Sequence, residues 1–334
     1  VPSDLPVANC SDLVIIRPGD LIDSRWLVYF INGASRGYVH SRLVGAVQQH
    51  FNVGAAREMI LRMPPISEQR AIAEVLGVLD DKIDLLHRQN QTLEALAETL
   101  FRQWFIEEAD PAWNERPLSD LVEHLKIPVK PSEQPNETFF HYSLPAFDTA
   151  KRPVAETGGA ILSNKYAVPK DTILVSKLNP RVPRIWPIPS LIPDNSVCST
   201  EFQVIKPSRD LFGYVYYFLK SEDARNTLAS SASGTSGSHQ RVTPNDILNL
   251  TVNVSEDLTK PLLFSGIVKP QLDKIYENQT QIQKLEKIRD ALLPKLMSGE
   301  VRVYFNGLGG DCIAPPTGQN GTMQSSPTNG GEHV

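Results

Sequence analysis

The chain has 334 residues, 41% of them apolar and 21% charged, with a formal net charge of −5. That size and balance leave room for two folded domains, and exclude a low-complexity chain and a strongly basic one that coats nucleic acid by bulk charge. No apolar run reaches the 18 or more residues of a membrane span, and the three cysteines, Cys10, Cys198 and Cys312, lie too far apart for a metal motif and suit a cytoplasmic protein.

In chain order, residues 11–63 come first, and they match residues 200–252 at a constant offset of 189. Arg17-Pro18 falls on Lys206-Pro207, Gly45 on Gly234, His50 on His239 and Leu61 on Leu250. In each copy the pattern predicts a short β segment (Leu13–Ile16; Phe202–Ile205), then a short helix (Ser24–Asn32; Phe212–Ser221). A Gly/Ser-rich loop and a second strand (Glu58–Met63; Ile247–Val254) follow. The first copy is expected to lack its front half, as in a fragment.

Residues 64–109 predict one long amphipathic helix. Its seam is Ile72, Leu76, Leu79, Ile83, Leu86, Asn90, Leu93, Ala97, Leu100 and Trp104, alternating steps of four and three as in a coiled coil. At about 1.5 Å per residue it is roughly 60 Å long and needs a partner. Residues 257–303 supply one, with the seam Ile275, Asn278, Ile282, Leu285, Arg289, Leu292 and Leu296. Each seam holds one Asn, a polar residue that costs stability and can set register.

Between the helices, residues 110–256 read as a complete globular domain, rich in Pro and in short β-type runs (Thr138–Ser143, Lys165–Val168, Thr172–Ser176). The fold class is therefore α+β: a repeated globular domain on two long antiparallel coiled-coil helices. Residues 304–334, Gly- and Pro-rich, read as a disordered tail.

Two stretches of the complete domain carry no acid, 172–193 and 224–245. The first holds Lys177, Asn179, Arg181 and Arg184; the second holds Thr235, Ser236, Ser238, His239 and Arg241. Lys and Arg neutralise phosphates, hydroxyls bond phosphate oxygens, and Asn, Arg and His read base edges, so these are candidate DNA contacts. The bland alternative is a Pro-stiffened loop and a flexible Gly/Ser turn with solvated charges. No glycine-rich phosphate loop, HExxH, CxxC or GxSxG occurs, and no catalytic residue or bound metal is assigned. Asp194 and Glu201 resemble a nuclease carboxylate pair, but Gln203 stands where such sites usually carry Lys.

The stretch 63–83, MPPISEQRAIAEVLGVLDDKI, and the stretch 285–303, LEKIRDALLPKLMSGEVRV, resemble the central and closing conserved stretches of the specificity subunits of type I restriction–modification systems. Residues 234–252 and the domain entry WNERPLSDL (113–121) resemble the same family. The resemblance implies two target-recognition domains held apart by the helix pair, each reading one half of a split DNA site. It implies a chain without catalysis that docks methyltransferase and restriction subunits, which carry the S-adenosylmethionine, ATP and Mg²⁺. The rivals are a metal-dependent endonuclease using Asp194 and Glu201, and a coiled-coil scaffold with no DNA role.

Overall fold

In a computed structural model, the structure describes residues 15–44, 50–208, 210–232, 240–306 and 310–314. It is mixed helix and sheet, and divides into two compact units: residues 1–85 with 282–334, and residues 86–281. In chain order the helices and strands begin with α1 (Ser24–Asn32), α2 (Arg36–Ser41), α3 (Val53–Arg57) and the long α4 (Ile66–Arg102), which continues in a π-helical turn over Gln103–Glu107. The segment between the long helices follows with β1 (Asn114–Pro117), β2 (Val122–Leu125), β3 (Pro128–Val129), β4 (Thr138–Tyr142), α5 (Leu144–Ala150) and β5 (Val154–Thr157). Next come β6 (Lys165–Ala167), β7 (Thr172–Ser176), β8 (Ile185–Ile188), β9 (Ser196–Ser199) and β10 (Phe202–Pro207). The chain continues with α6 (Phe212–Lys220), α7 (Glu222–Ser231), α8 (Pro244–Leu248), β11 (Thr251–Val254), the long α9 (Thr259–Ser298), and the paired strands β12 (Arg302–Asn306) and β13 (Gly310–Ala314).

The first unit is built on α1. Asp23 caps it, its carboxylate accepting from the amides of Arg25 and Trp26, so the chain turns sharply into the helix. Trp26, Leu27, Tyr29 and Phe30 then bury against Ala71, Ile72, Ala73 and Leu76 of α4 and Leu296 of α9. Gln69, 1% exposed, fixes the junction. Its Oε1 accepts from the Asp23 amide at 2.9 Å, and its Nε2 donates to the carbonyls of Leu21 (3.1 Å) and Pro64 (2.9 Å). Three backbone groups are thereby satisfied by one side chain. The SEQR stretch thus owes part of its distinctness to a buried packing duty.

In the second unit, β2-β10-β7-β8 form a four-stranded antiparallel sheet, and β3-β6-β9-β4-β5 a five-stranded one in which only β4 and β9 run parallel. β7 is buried at all five positions because both its faces are covered. Ile173 and Val175 face a core of α6, α7, α8 and the long helices; Leu174 packs with Trp186, Phe202 and Tyr142 between the two sheets. Phe101 and Phe105 of the α4 end meet Tyr214 and Phe264, with ring centroids 4.8–5.9 Å apart. The junction again rests on one buried bond, from the Tyr214 amide to Ser265 Oγ at 2.9 Å. Gly213 lets α6 approach this closely, since a Cβ there would stand 3.0 Å from Ser265 Cα.

None of the predicted seam positions is exposed, whereas Val78, Leu85, Leu96 and Ile288 between them are. Within the first unit the two long helices are joined by Arg289 Nη1 to Asp80 Oδ1 at 2.9 Å. Within the second, Asn278, wholly buried, donates to Asn90 Oδ1 (2.8 Å) and Gln89 Oε1 (3.0 Å), so the two seam asparagines meet. The rising numbers of α4 meet falling numbers of α9 in each unit, as an antiparallel pair requires. α9, Thr259–Ser298, lies within the predicted span 257–303. Pro261 lies in its first turn, where an amide has no partner to lose, and burial of Phe264, Val268 and Leu272 holds the helix through Pro270.

The repeat appears as three short helices before a long one, α1–α3 before α4 and α6–α8 before α9. Four expectations differ from what is seen. Of the predicted strand Leu13–Ile16, Leu13 and Val14 lie outside the described residues, and Ile15 and Ile16 are exposed and form no ladder. Glu58–Met63 likewise forms no strand. Their counterparts β10 and β11 exist because β2, β7 and β1 pair with them, and no such partners occur among the described residues of the first unit. Ile247 and Leu248 belong to α8, drawn there by a capping box between Thr243 and Asp246. From the segment read as a disordered tail, residues 304–306 and 310–314 take part in the β12–β13 pair; 315–334 lie outside the described residues.

Candidate nucleic-acid interface

The two acid-free stretches are brought together by backbone bonds at Lys177 and Asn179. Lys177 follows β7, and its amide donates to the Glu201 carbonyl in the β9–β10 turn at 2.8 Å. Its carbonyl accepts from the Val242 amide at 3.0 Å, and the Asn179 amide donates to the Gln240 carbonyl at 2.9 Å. Leu178 and Arg241 thus face each other as an isolated antiparallel bridge. Asn179 holds φ at +50°, a conformation Asn adopts more readily than most residues, and its carbonyl accepts from Val182 to close a turn over Pro180-Arg181. Three segments, 177–182, 200–201 and 240–242, therefore share one patch.

The side chains differ in what they offer. Lys177 turns its ammonium to the Thr200 carbonyl at 2.5 Å, and burial draws its pKa below the usual lysine range. Arg184 is held by Asp148 in a two-point pair, Nε to Oδ1 at 2.7 Å and Nη2 to Oδ2 at 2.9 Å. That bonding raises the Arg184 pKa and lowers the Asp148 pKa, two directions that agree. Its remaining Nη1 is buried without a partner. Arg181 is exposed on the turn. Arg241 is half exposed and pairs with Glu201, Nε to Oε2 and Nη2 to Oε1, both at 3.3 Å. Thr235, Ser236, Ser238 and His239 lie outside the described residues.

Asp194 and Glu201 sit at opposite ends of β9, roughly 10 Å of strand apart, and Glu201 is engaged by Arg241. Gln203 is buried and meets His124 Nε2 through its Oε1 at 2.7 Å. The carboxylates do not converge on one point, as a shared metal would need. Among the described residues no group of three or more His, Cys, Asp or Glu is placed to hold a metal. No described helix is long and apolar enough to cross a membrane. Sequence reasoning had no means to find Asp148 or Glu201 as partners of these arginines, because they lie 36 and 40 residues away in sequence. The absence of acids within each stretch was visible; the acids facing them from elsewhere were not.

No protein-family model matches the chain. It is 27% identical over 323 residues to the type I restriction enzyme MjaIX specificity subunit of Methanocaldococcus jannaschii, covering 86% of this chain and 71% of that protein. Over 130 residues, 38% of this chain and 28% of the relative, it is 29% identical to the HindI specificity subunit of Haemophilus influenzae. The fold is similar to the crystal structure of the type I restriction–modification S subunit from M. genitalium, with a TM-score of 0.55 at 17% identity, over 82% of this chain and 72% of that one. By sequence the chain is similar to specificity subunits of type I restriction–modification systems, and it shares the fold of one such S subunit.

Proposed function

We propose that the chain is a sequence-specific DNA-recognition subunit of a type I restriction–modification complex. It reads duplex DNA through residues 110–256 and leaves catalysis to partners. The observation that carries this reading is the likeness along 86% of the chain to a protein named as such a specificity subunit. The geometry supports it: Asn179, Arg181 and Arg241 come from two separate stretches and lie on one patch, tied by the backbone bonds at Lys177. Arg181 and Arg241 supply the outward charge, while Lys177 and Arg184 hold the patch in shape. Methyltransferase subunits, and with them a restriction subunit, dock on the chain; S-adenosylmethionine, ATP and Mg²⁺ belong to those subunits.

The test is a binding selection on random duplex DNA, using the chain assembled with its methyltransferase subunits. Enrichment of a defined sequence supports the reading. A complex shown to be assembled that enriches no sequence would leave a scaffold role, and cleavage by the isolated chain with Mg²⁺ would point to the nuclease instead.

A further inference from the structure

The geometry points to Arg241 as a guanine reader and to Glu201 as the residue that aims it, an inference that rests on the DNA-recognition reading above. A guanidinium has five N–H donors on two usable edges. Glu201 takes the side edge, made by Nε and Nη2. The end edge, made by Nη1 and the second hydrogen of Nη2, is the pair that forks onto guanine O6 and N7. Both residues of the pair are fixed through the same backbone: the Glu201 carbonyl accepts from the Lys177 amide, and the Lys177 carbonyl accepts from the Val242 amide next to Arg241. The Glu201 amide also reaches Ser199 Oγ at 3.3 Å. A long, rotamer-rich side chain ordered before binding loses less entropy when it meets a base, so the carboxylate favours one direction of approach.

The neighbouring arginines show why this assignment falls on Arg241. Arg184 is also held on its side edge, but its Nη1 is buried. Arg181 is exposed on a turn, suited to the diffuse charge of a phosphate. Arg241 alone among these three combines a side-on carboxylate with a side chain that is 52% exposed.

The experiment repeats the binding selection on the assembled complex with Arg241→Lys and Glu201→Gln, both checked by thermal melting. In the wild type, one position of the selected sequence is guanine. Arg241→Lys keeps the charge but loses the fork, so preference at that position should fall roughly 5- to 150-fold with little change for unrelated duplexes. Glu201→Gln should weaken preference at the same position and leave unrelated duplexes bound equally or more tightly, because a negative charge near phosphates is gone. A Glu201 with a merely structural role would lower affinity for all sequences together. The inference is overturned if either variant shifts all sequences alike, or if no guanine column responds to both. If the wild-type complex enriches nothing, the DNA-recognition reading itself falls and takes this one with it.

Discussion

Gln69 shows how much a single side chain can be asked to do at a junction. Its carboxamide satisfies one amide and two carbonyls from the α1 entry and the α4 entry, at 2.9–3.1 Å. Leucine in its place would have a similar size and leave all three groups without that partner. Leaving buried polar groups unpaired costs about 1–3 kcal/mol. Gln69→Leu should therefore lower the urea midpoint of unfolding by that free energy, and an unchanged midpoint would mean water replaces the carboxamide without loss. The second unit solves the same problem with Ser265, whose hydroxyl accepts from the Tyr214 amide. Helix α6 can then lie closer to its long helix, which is why a glycine, Gly213, stands there.

The long helix α4 carries two kinds of bond to its neighbours, one to α9 and one to α6, and each makes a prediction. Asn90 and Asn278 form a polar layer in a mostly apolar seam, and the Asn278 Oδ1 remains buried without a partner. Replacing Asn90 alone by Leu removes one of the two acceptors of the Asn278 amide and leaves a buried N–H unpaired, at a cost of about 1–3 kcal/mol. Replacing both removes the polar groups together, so the double variant should be more stable than the Asn90→Leu single. A double-mutant cycle by chemical denaturation measures this, and additive effects would refute it. The second bond is a charge cluster: Lys220 of α6 meets Glu94 at 2.5 Å and Glu98 at 2.6 Å. Burial pushes the Glu94 carboxyl up, but the Lys220 ammonium more than offsets it, and the net pKa lies below the usual range. For Lys220 burial acts downward, the two carboxylates act upward, and the net is raised. The lowered carboxyl stabilises the fold above about pH 4.3, an effect lost as pH falls through its folded pKa. The raised ammonium stabilises it below about pH 10.4, an effect lost as pH rises through its folded pKa. The contribution of this cluster should be flat between those limits and fall at both ends. Lys220→Met should cost about 1–3 kcal/mol at pH 7 and flatten the alkaline fall, as read by denaturation across pH.

At the scale of the whole chain, charge sets what it can do unaided. The net charge is −5, and among its described residues the candidate interface offers two outward cations, Arg181 and Arg241. With about two phosphates neutralised, the logarithm of affinity for unrelated duplex should fall with the logarithm of salt at a slope near −2. Assembly with methyltransferase subunits should steepen that slope, because the partners must supply most of the phosphate contacts. Arg181→Ala should make it shallower by about one. Titrations at several salt concentrations, with and without the partners, decide both statements; a steep slope for the chain alone would show that it binds by charge not counted here.

The amino-acid sequence by itself determined the features that repeat along the chain. The three-four spacing marked both long helices, because a seam that must stay apolar recurs every turn or so. The offset of 189 marked the doubled unit, and α1 was legible to the residue because Asp23 caps it and its apolar stripe is uninterrupted. Only the tertiary structure decided the rest. Whether Ile15–Ile16 and Glu58–Met63 become strands depends on partners elsewhere in the chain, since a strand satisfies its backbone through a neighbour and not within itself. The interface was half legible: the cations stood out, but an ion pair across 40 residues leaves no local trace. Folding alone set Arg184 against Asp148 and Arg241 against Glu201, and with them the difference between a charge that holds the patch and one that faces outward.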